Sequence, residues 1–383
     1  MALFPTQPVR IQPYFGYRNR ERLTISARAL RAPRPGFDGS GRLRAIRTML
    51  SQFASHEVAD LPVDLEIQHP DGRRFQHRGV TDEEGFVHFD VELEPEWELD
   101  AHSQWEVVAF RWDNRDGEQC VEGHVLAPGS EAMLGVISDI DDTIIETGIT
   151  GSFRKIARNW RRVVMQLPDE RLLVPDADVF YNALGGGAVL RTGKAHTGDR
   201  LAATHHPFFY VSSSPWNLFS YLVAFQKSRG LPLGPLMLRD WGLDRSTFGK
   251  GSHGAHKIAA IAEIVETYDS LQFALIGDDS QGDLLAFSEV VATHPGRVRA
   301  VFIRRAGDPL SPEEIAAQSM IEAANVPLWL GDSYTSGQQF LRAIGLSHDG
   351  EAERIVEAVE KPANTGTGTG TSTGTASAPQ PEA

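Results

Sequence analysis

The most reactive residues of the chain stand at the end of an apolar run. Residues 133–138 read Met-Leu-Gly-Val-Ile-Ser, and Asp139-Ile140-Asp141-Asp142-Thr143 follow directly. Carboxylates packed this closely oppose joint ionisation unless a cation lies among them. If the run is a buried strand, they occupy the place where open α/β sheets bind ligands, outside the carboxyl ends of the strands. A hard divalent cation fits such oxygen ligands, and Mg2+ suits a phosphate-bearing substrate. Two other phosphate or metal motifs fail on spacing. An EF-hand loop needs Gly at its sixth position and Glu at its twelfth, where this chain has Ile144 and Thr150. Gly249-Lys250 is followed by Gly251 and lacks the leading glycine of a P-loop.

A lone D-x-D is an ordinary acidic turn, but here three further signals follow in order. Phe208-Phe209-Tyr210-Val211 runs into Ser212-Ser213-Ser214. Lys257 lies in a helical stretch ahead of another apolar run. That run, Phe273-Ala274-Leu275-Ile276, ends in Gly277-Asp278-Asp279-Ser280-Gln281-Gly282-Asp283. Carboxylates, a strand-end hydroxyl and a lysine are the groups that neutralise and hold a phosphoryl group.

These residues need strands ending together. Between about 20 and 128 apolar residues alternate, at 23–27, 63–67, 86–93 and 105–112, with turn residues between, which predicts a small β-sandwich. One amphipathic helix is predicted inside it, at 42–53. From about 131 continuous apolar runs at 133–138, 207–212, 272–276 and 298–304 alternate with helical stretches at 153–166, 216–229, 256–268, 280–292 and 336–344. That is the pattern of a parallel α/β sheet. The reading divides the chain into a β-rich domain at 1–130, an α/β domain at 131–350 and a low-complexity, disordered tail at 351–383.

Composition narrows the function classes. The 383 residues carry a net charge of −14, which excludes generic nucleic-acid binding. The charge is uneven. Residues 1–50 hold ten arginines and two acids, a net of +8, leaving −22 on the remainder. One cysteine, Cys120, excludes an internal disulfide framework and a Cys-based zinc site. There is no apolar run long enough for a membrane span, and the first ten residues lack a signal-peptide core. The expectation is a cytoplasmic protein, with peripheral membrane contact left open.

As a set, the motifs resemble the haloacid dehalogenase superfamily of aspartate-nucleophile phosphatases. Within it they are more similar to the actin-patch type of phosphatidate phosphatase. The resemblance is carried by Asp139-Ile140-Asp141-Asp142-Thr143, Val211-Ser212-Ser213-Ser214-Pro215-Trp216, Gly230-Leu231-Pro232-Leu233-Gly234-Pro235, Leu238-Arg239-Asp240, His256-Lys257 and Ile276-Gly277-Asp278-Asp279, together with the early Tyr14-Phe15-Gly16-Tyr17. It spans roughly residues 12–345. It implies a Rossmann-like parallel sheet with a small helical cap inserted at about 144–206, preceded by the β-rich domain. It also implies a Mg2+-dependent phosphomonoesterase acting on phosphatidate.

The roles follow from resemblance and position. Asp139 is the expected nucleophile, and Asp141 the general acid and then base. Ser212 and Lys257 are expected on the phosphate, with Ser213 and Lys250 as the alternatives. Asp139, Asp141 through its backbone carbonyl, and Asp278 are expected on the metal, with Asp279 the alternative to Asp278 and Asp283 as an orienting residue. Arg239 is expected to pair with a carboxylate. His205, His206, His253 and His256 are read as surface or loop residues, and Trp216 as packing at a helix start. Residues 153–167 place Arg154, Arg158, Arg161 and Arg162 beside an apolar stripe with Trp160. That stretch fits either an interfacial helix drawn to anionic lipid or a cap helix with solvated arginines. Residues 185–204 are expected to form a surface loop. The rival readings are a phosphatase of the same type acting on a soluble phosphomonoester and a binding module on a degenerate phosphatase fold; the carboxylate cluster argues against the second.

Overall fold

Continuous apolar strands must be covered on both faces, and the computed structural model covers them. It describes residues 8–31, 56–140, 143–144, 173–185, 196–239, 251–279, 282–305 and 309–347. The expected helix at 42–53, Asp141, Asp142, the cap segment with Arg154, Arg158, Trp160, Arg161 and Arg162, Lys250 and the tail lie outside the described residues.

Among the described residues the first half is all strand: β1 (Arg10–Pro13), β2 (Phe15–Arg18), β3 (Arg22–Arg31), β4 (His56–Glu57), β5 (Pro62–Gln68), β6 (Arg74–Val80), β7 (Phe86–Glu92), β8 (Gln104–Asn114) and β9 (Gly117–Ala127). They join in the order β1-β3-β2-β9-β8-β5-β6, with β4 and β7 also paired to β3. The period-two pattern decides what faces inward. Leu23, Ile25 and Ala27 of β3 and Phe89 and Val91 of β7 share one apolar cluster with Leu65 of β5, Phe110 of β8 and Val125 of β9.

The second half alternates: β10 (Leu134–Asp139), α1 (Ala177–Gly185), β11 (Arg200–Ala202), β12 (Phe208–Pro215), a 3-10 turn (Trp216–Leu218), α2 (Phe219–Ser228), β13 (Leu236–Arg239), α3 (Gly251–Thr267), β14 (Gln272–Asp278), α4 (Asp283–Thr293), β15 (Val298–Arg304), α5 (Pro312–Ala323), β16 (Leu328–Gly331) and α6 (Tyr334–Ala343). Six of its strands form a sheet ordered β13-β12-β10-β14-β15-β16. Every neighbouring pair in it is parallel. Alternate residues of β10 serve opposite faces. Val136 packs with Phe180 of α1, Phe225 of α2 and Leu341 of α6. Ile137 packs with Ile264 of α3, Phe287 of α4 and Ile321 of α5.

Several expectations need correction. Part of the 185–204 loop is a strand, because β11 pairs antiparallel with β8 and so joins the first-half sheet. Among the described residues that sheet is therefore one mixed ten-stranded network, with β2 and β9 parallel, rather than strands of the first half alone. His206 is buried rather than on the surface, while His205 is exposed. His256 lies within α3, which begins at Gly251, so it is not a loop residue. The four-residue strands β13 and β16 and the helices α1 and α5 were not expected; α5 is closed by a Ser311/Glu314 capping box with Pro312 at its start.

The two sheets share their apolar clusters. Tyr14 and Phe86 join the cluster on one face of the parallel sheet, and Tyr17, Trp105 and Leu126 join the other. Met1–His348 is accordingly one compact unit.

Candidate active site

β10 is the inner strand from which the chain turns outward first through β12 and β13, then back through β14 to β16. The connections leave in opposite directions from β10 and β14, so their carboxyl ends mark the switch point at which open α/β sheets bind ligands. Asp139 is the last residue of β10, and Asp278 the last of β14. On the other side, Val211 of β12 is the register partner of Asp139, so Ser212 and Ser213 stand just beyond its level. Both serines are buried, and Ser212 Oγ accepts from the backbone N–H of Ser214 at 2.9 Å.

Three of the carboxylates converge. Asp139, Asp278 and Asp283 are all buried, and each offers an oxygen within 4.8 Å of the others. Lys257, from α3, reaches Asp139 Oδ1 at 2.9 Å and also pairs with Asp283 Oδ1. Burial by itself would lower the lysine pKa, but the charges of Asp139 and Asp283 outweigh it and hold the ammonium well above its usual range. Among the described residues three buried carboxylates thus gather around Lys257. Such a gathering of charge is costly unless compensated, and a hard divalent cation fits both the charge and the oxygen donors.

Local sequence builds this cluster. Asp283 opens α4 and folds back, accepting the Asp278 N–H on Oδ2 at 3.2 Å. A Cβ on Gly277 would lie 2.5 Å from that same Oδ2, so only glycine lets the carboxylate close over the strand end. Asp279 does not enter the cluster. Its N–H donates to the Arg304 carbonyl, and its carboxylate faces Arg305 at 3.6 Å.

Four residues that sequence reasoning gave no role surround Asp139 and its cluster. Thr143 Oγ1 lies 3.3 Å from Asp139 Oδ2 and 3.0 Å from Asp278 Oδ2. Tyr334 of α6 donates to the Thr143 carbonyl at 2.8 Å. Ser138 donates to the Asp139 carbonyl at 2.7 Å and accepts from Tyr181 of α1 at 2.6 Å. Burial raises the pKa of both tyrosines, so both stay protonated and can donate. Thr143 could have been suspected from its place in the acidic motif; nothing local to Tyr181 or Tyr334 points to the site.

Among the expected residues, Asp139, Asp278, Asp283 and Lys257 are thus brought together, with Ser212 and Ser213 on the adjoining strand end. Asp141 and the basic residues Arg154, Arg158, Arg161 and Arg162 with Trp160 are not among the described residues, nor is the side chain of Arg239. Trp216 packs at the helix start, its ring 4.4 Å from that of Tyr14.

The segment that carries these residues resembles known proteins. Residues 134–305 match the family described as phosphatidate phosphatase APP1, catalytic domain. The chain is 29% identical over 200 residues to phosphatidate phosphatase APP1 of Saccharomyces cerevisiae, covering 50% of this chain and 30% of that protein. An uncharacterized protein of Schizosaccharomyces pombe is 26% identical over 173 residues, covering 45% of this chain and 25% of that protein. The chain therefore spans less than a third of the length of these relatives. Among solved structures, a Bacteroides uniformis β-glucuronidase aligns over 88% of this chain and 38% of that one at 10% identity, with a TM-score of 0.23 that carries no argument. The matched segment runs from the first residue of β10 to the residue after β15, and so contains Asp139, Ser212, Lys257, Asp278 and Asp283 together. Through residues 134–305 the chain is similar to the phosphatidate phosphatase APP1 catalytic domain.

Proposed function

We propose that this protein is a Mg2+-dependent phosphomonoester hydrolase of the haloacid dehalogenase type, and that its substrate is phosphatidate. The carrying observation is the buried cluster of Asp139, Asp278 and Asp283 around Lys257 at the sheet's switch point. The match to that catalytic domain supports the lipid substrate, since the yeast relative is named a phosphatidate phosphatase.

Asp139 attacks phosphorus through a carboxylate oxygen, forming an aspartyl-phosphate as the phosphorus–ester oxygen bond breaks. The leaving oxygen takes its proton from Asp141, two residues on, and departs as the hydroxyl of diacylglycerol. Water then adds to phosphorus, its proton passes to Asp141, and the bond to Asp139 breaks to release inorganic phosphate. Lys257 and the Ser212 hydroxyl offset the charge of the phosphoryl oxygens, with Ser213 beside them. Asp139 and Asp278 would hold Mg2+, with Asp141 adding its carbonyl and Asp283 keeping Asp278 and Lys257 in place. The ion supplies the remaining charge neutralisation that lets a carboxylate approach a phosphate dianion. Arg154, Arg158, Trp160, Arg161 and Arg162 are the proposed contact with an anionic membrane surface, on their sequence pattern alone.

The test is phosphate release from phosphatidate in mixed micelles and from a panel of soluble phosphomonoesters, with Mg2+ or EDTA. The expected result is metal-dependent turnover of phosphatidate, and a loss of at least about 10³-fold in Asp139→Asn, as for removal of a nucleophile. Full activity in Asp139→Asn overturns the mechanism. Turnover of sugar or nucleotide phosphates alone overturns the lipid substrate.

A further inference from the structure

Tyr14-Phe15-Gly16-Tyr17 lies outside the family-matched residues 134–305, and the proposed chemistry makes no use of it. It is nevertheless where the mixed sheet meets the site-bearing elements. The β2–β3 hairpin closes tightly over Gly16, where a Cβ would come within 2.5 Å of the Thr24 carbonyl and 2.7 Å of Ile25 Cβ. Tyr17 then donates its hydroxyl to the Glu263 carboxylate at 2.5 Å, and Asn19 Nδ2 donates to the Thr267 carbonyl at 3.0 Å. Both acceptors lie on α3, the helix that carries Lys257. On the other face, the Tyr14 ring packs on Trp216 at 4.4 Å and on Phe219 at 4.8 Å. Arg28 of β3 donates to Asn217 Oδ1 at 2.7 Å. Arg28 is itself fixed by the Glu84 carbonyl at 2.9 Å and by the Phe86 ring at 4.5 Å. Trp216 and Asn217 belong to the turn that follows Ser212-Ser213-Ser214-Pro215.

We propose that the β2–β3 hairpin is a positioning element of the active site, in which Tyr17 sets α3 and its Lys257 while Arg28 sets the turn that follows Ser212. Glu263 is six residues from Lys257, about 9 Å along the helix axis, and a helix of that length moves as a rod. Two of the phosphate-binding groups are thereby referenced to one rigid hairpin, although they sit on different elements, Ser212 on β12 and Lys257 on α3. Displacements of about 1 Å far from the reacting atoms are known to cost up to ~10²-fold in rate. The kinetic part of this proposal rests on the phosphatase reading; the structural part does not.

Tyr17→Phe and Asn217→Ala, made in the full chain, test it. Glu263 is exposed, and Arg28 keeps the Glu84 carbonyl and the Glu57 carboxylate, which leaves neither freed partner stranded and the fold intact. Hydrogen exchange of peptides covering α3 around Lys257 should accelerate in Tyr17→Phe, and of peptides covering 212–219 in Asn217→Ala, with the global unfolding midpoint unchanged. On phosphatidate, kcat should fall about fivefold in each with KM within about twofold, the loss of one hydrogen bond's positioning. Glu263→Gln should match Tyr17→Phe, and the double variant should be no worse than either single. Unchanged exchange in both segments, or unchanged kcat in both variants of an active enzyme, overturns the proposal. A wild-type protein releasing no phosphate refutes the phosphatase reading instead, and the exchange arm still decides this one.

Discussion

At the residue scale, the site depends on two hydroxyls whose own chemistry is not used. Thr143 stands between Asp139 Oδ2 and Asp278 Oδ2, and its carbonyl is tied to Tyr334, 191 residues away. Removing the Tyr334 hydroxyl frees one backbone carbonyl and loosens Thr143, which contacts Asp139 and Asp278. Its ring would stay packed on Phe180, at 4.8 Å between centroids. Tyr334→Phe is therefore expected to lower kcat by about fivefold, the equivalent of ~1 kcal/mol for one hydrogen bond, with little change in KM. Steady-state kinetics beside a melting curve check this; a normal kcat with a lowered Tm would show the bond to be purely structural.

At the scale of elements, β9 carries a titratable group that folding places at a cost. His124 pairs in register with Phe15 of β2 and meets its ring edge-on at 6.3 Å. Burial, with a smaller contribution from Lys227, pushes the His124 pKa down to about 4. The folded state thus binds its proton less readily than the unfolded chain. The stability gained from keeping the ring neutral is full above the ordinary histidine pKa of about 6.5 and is lost as pH falls toward 4, up to ~3 kcal/mol in all. Denaturant unfolding at pH 7 and pH 4.5 should show a smaller loss in His124→Gln than in the parent chain. Equal losses would mean that His124 is protonated without penalty. Lys257 has the opposite sign. Its raised pKa keeps its ion pairs with Asp139 and Asp283 through neutral and mildly alkaline pH, and they are lost only above the usual lysine range.

For the whole molecule, the shared clusters matter more than the sheets taken singly. Tyr14 and Phe86 complete one face of the parallel sheet, Tyr17, Trp105 and Leu126 the other, and β11 crosses into the mixed sheet. Neither sheet keeps its apolar surface covered without the other. Calorimetry is therefore expected to give a single cooperative transition for Met1–His348 rather than two. Tyr14→Ala, which removes a buried ring from the seam, should lower that one transition by about 3 kcal/mol. Two resolved transitions, with only one of them moved by Tyr14→Ala, would refute the shared core.

The amino-acid sequence by itself determined the alternation of strand and helix after residue 131, and which strand ends bear Asp139, Ser212 and Asp278. Each is a local property: a continuous apolar run, a polar break and a glycine such as Gly277. It also indicated the amino-terminal strands through their period of two. Short-range patterns report that a face is buried, however, and not what buries it. The four residues of β13 and β16 are too few to show a period, and β11 is a strand only because β8 offers it an edge. His206 reads as polar and exposed until the fold encloses it. The choice of Asp278 over Asp279, the reach of Lys257 across to both Asp139 and Asp283, and the bonds from Tyr334 to Thr143 and from Tyr17 to Glu263 were decided by the tertiary structure. The partners in those two bonds stand 191 and 246 residues apart, a separation that only strand order and helix packing can close.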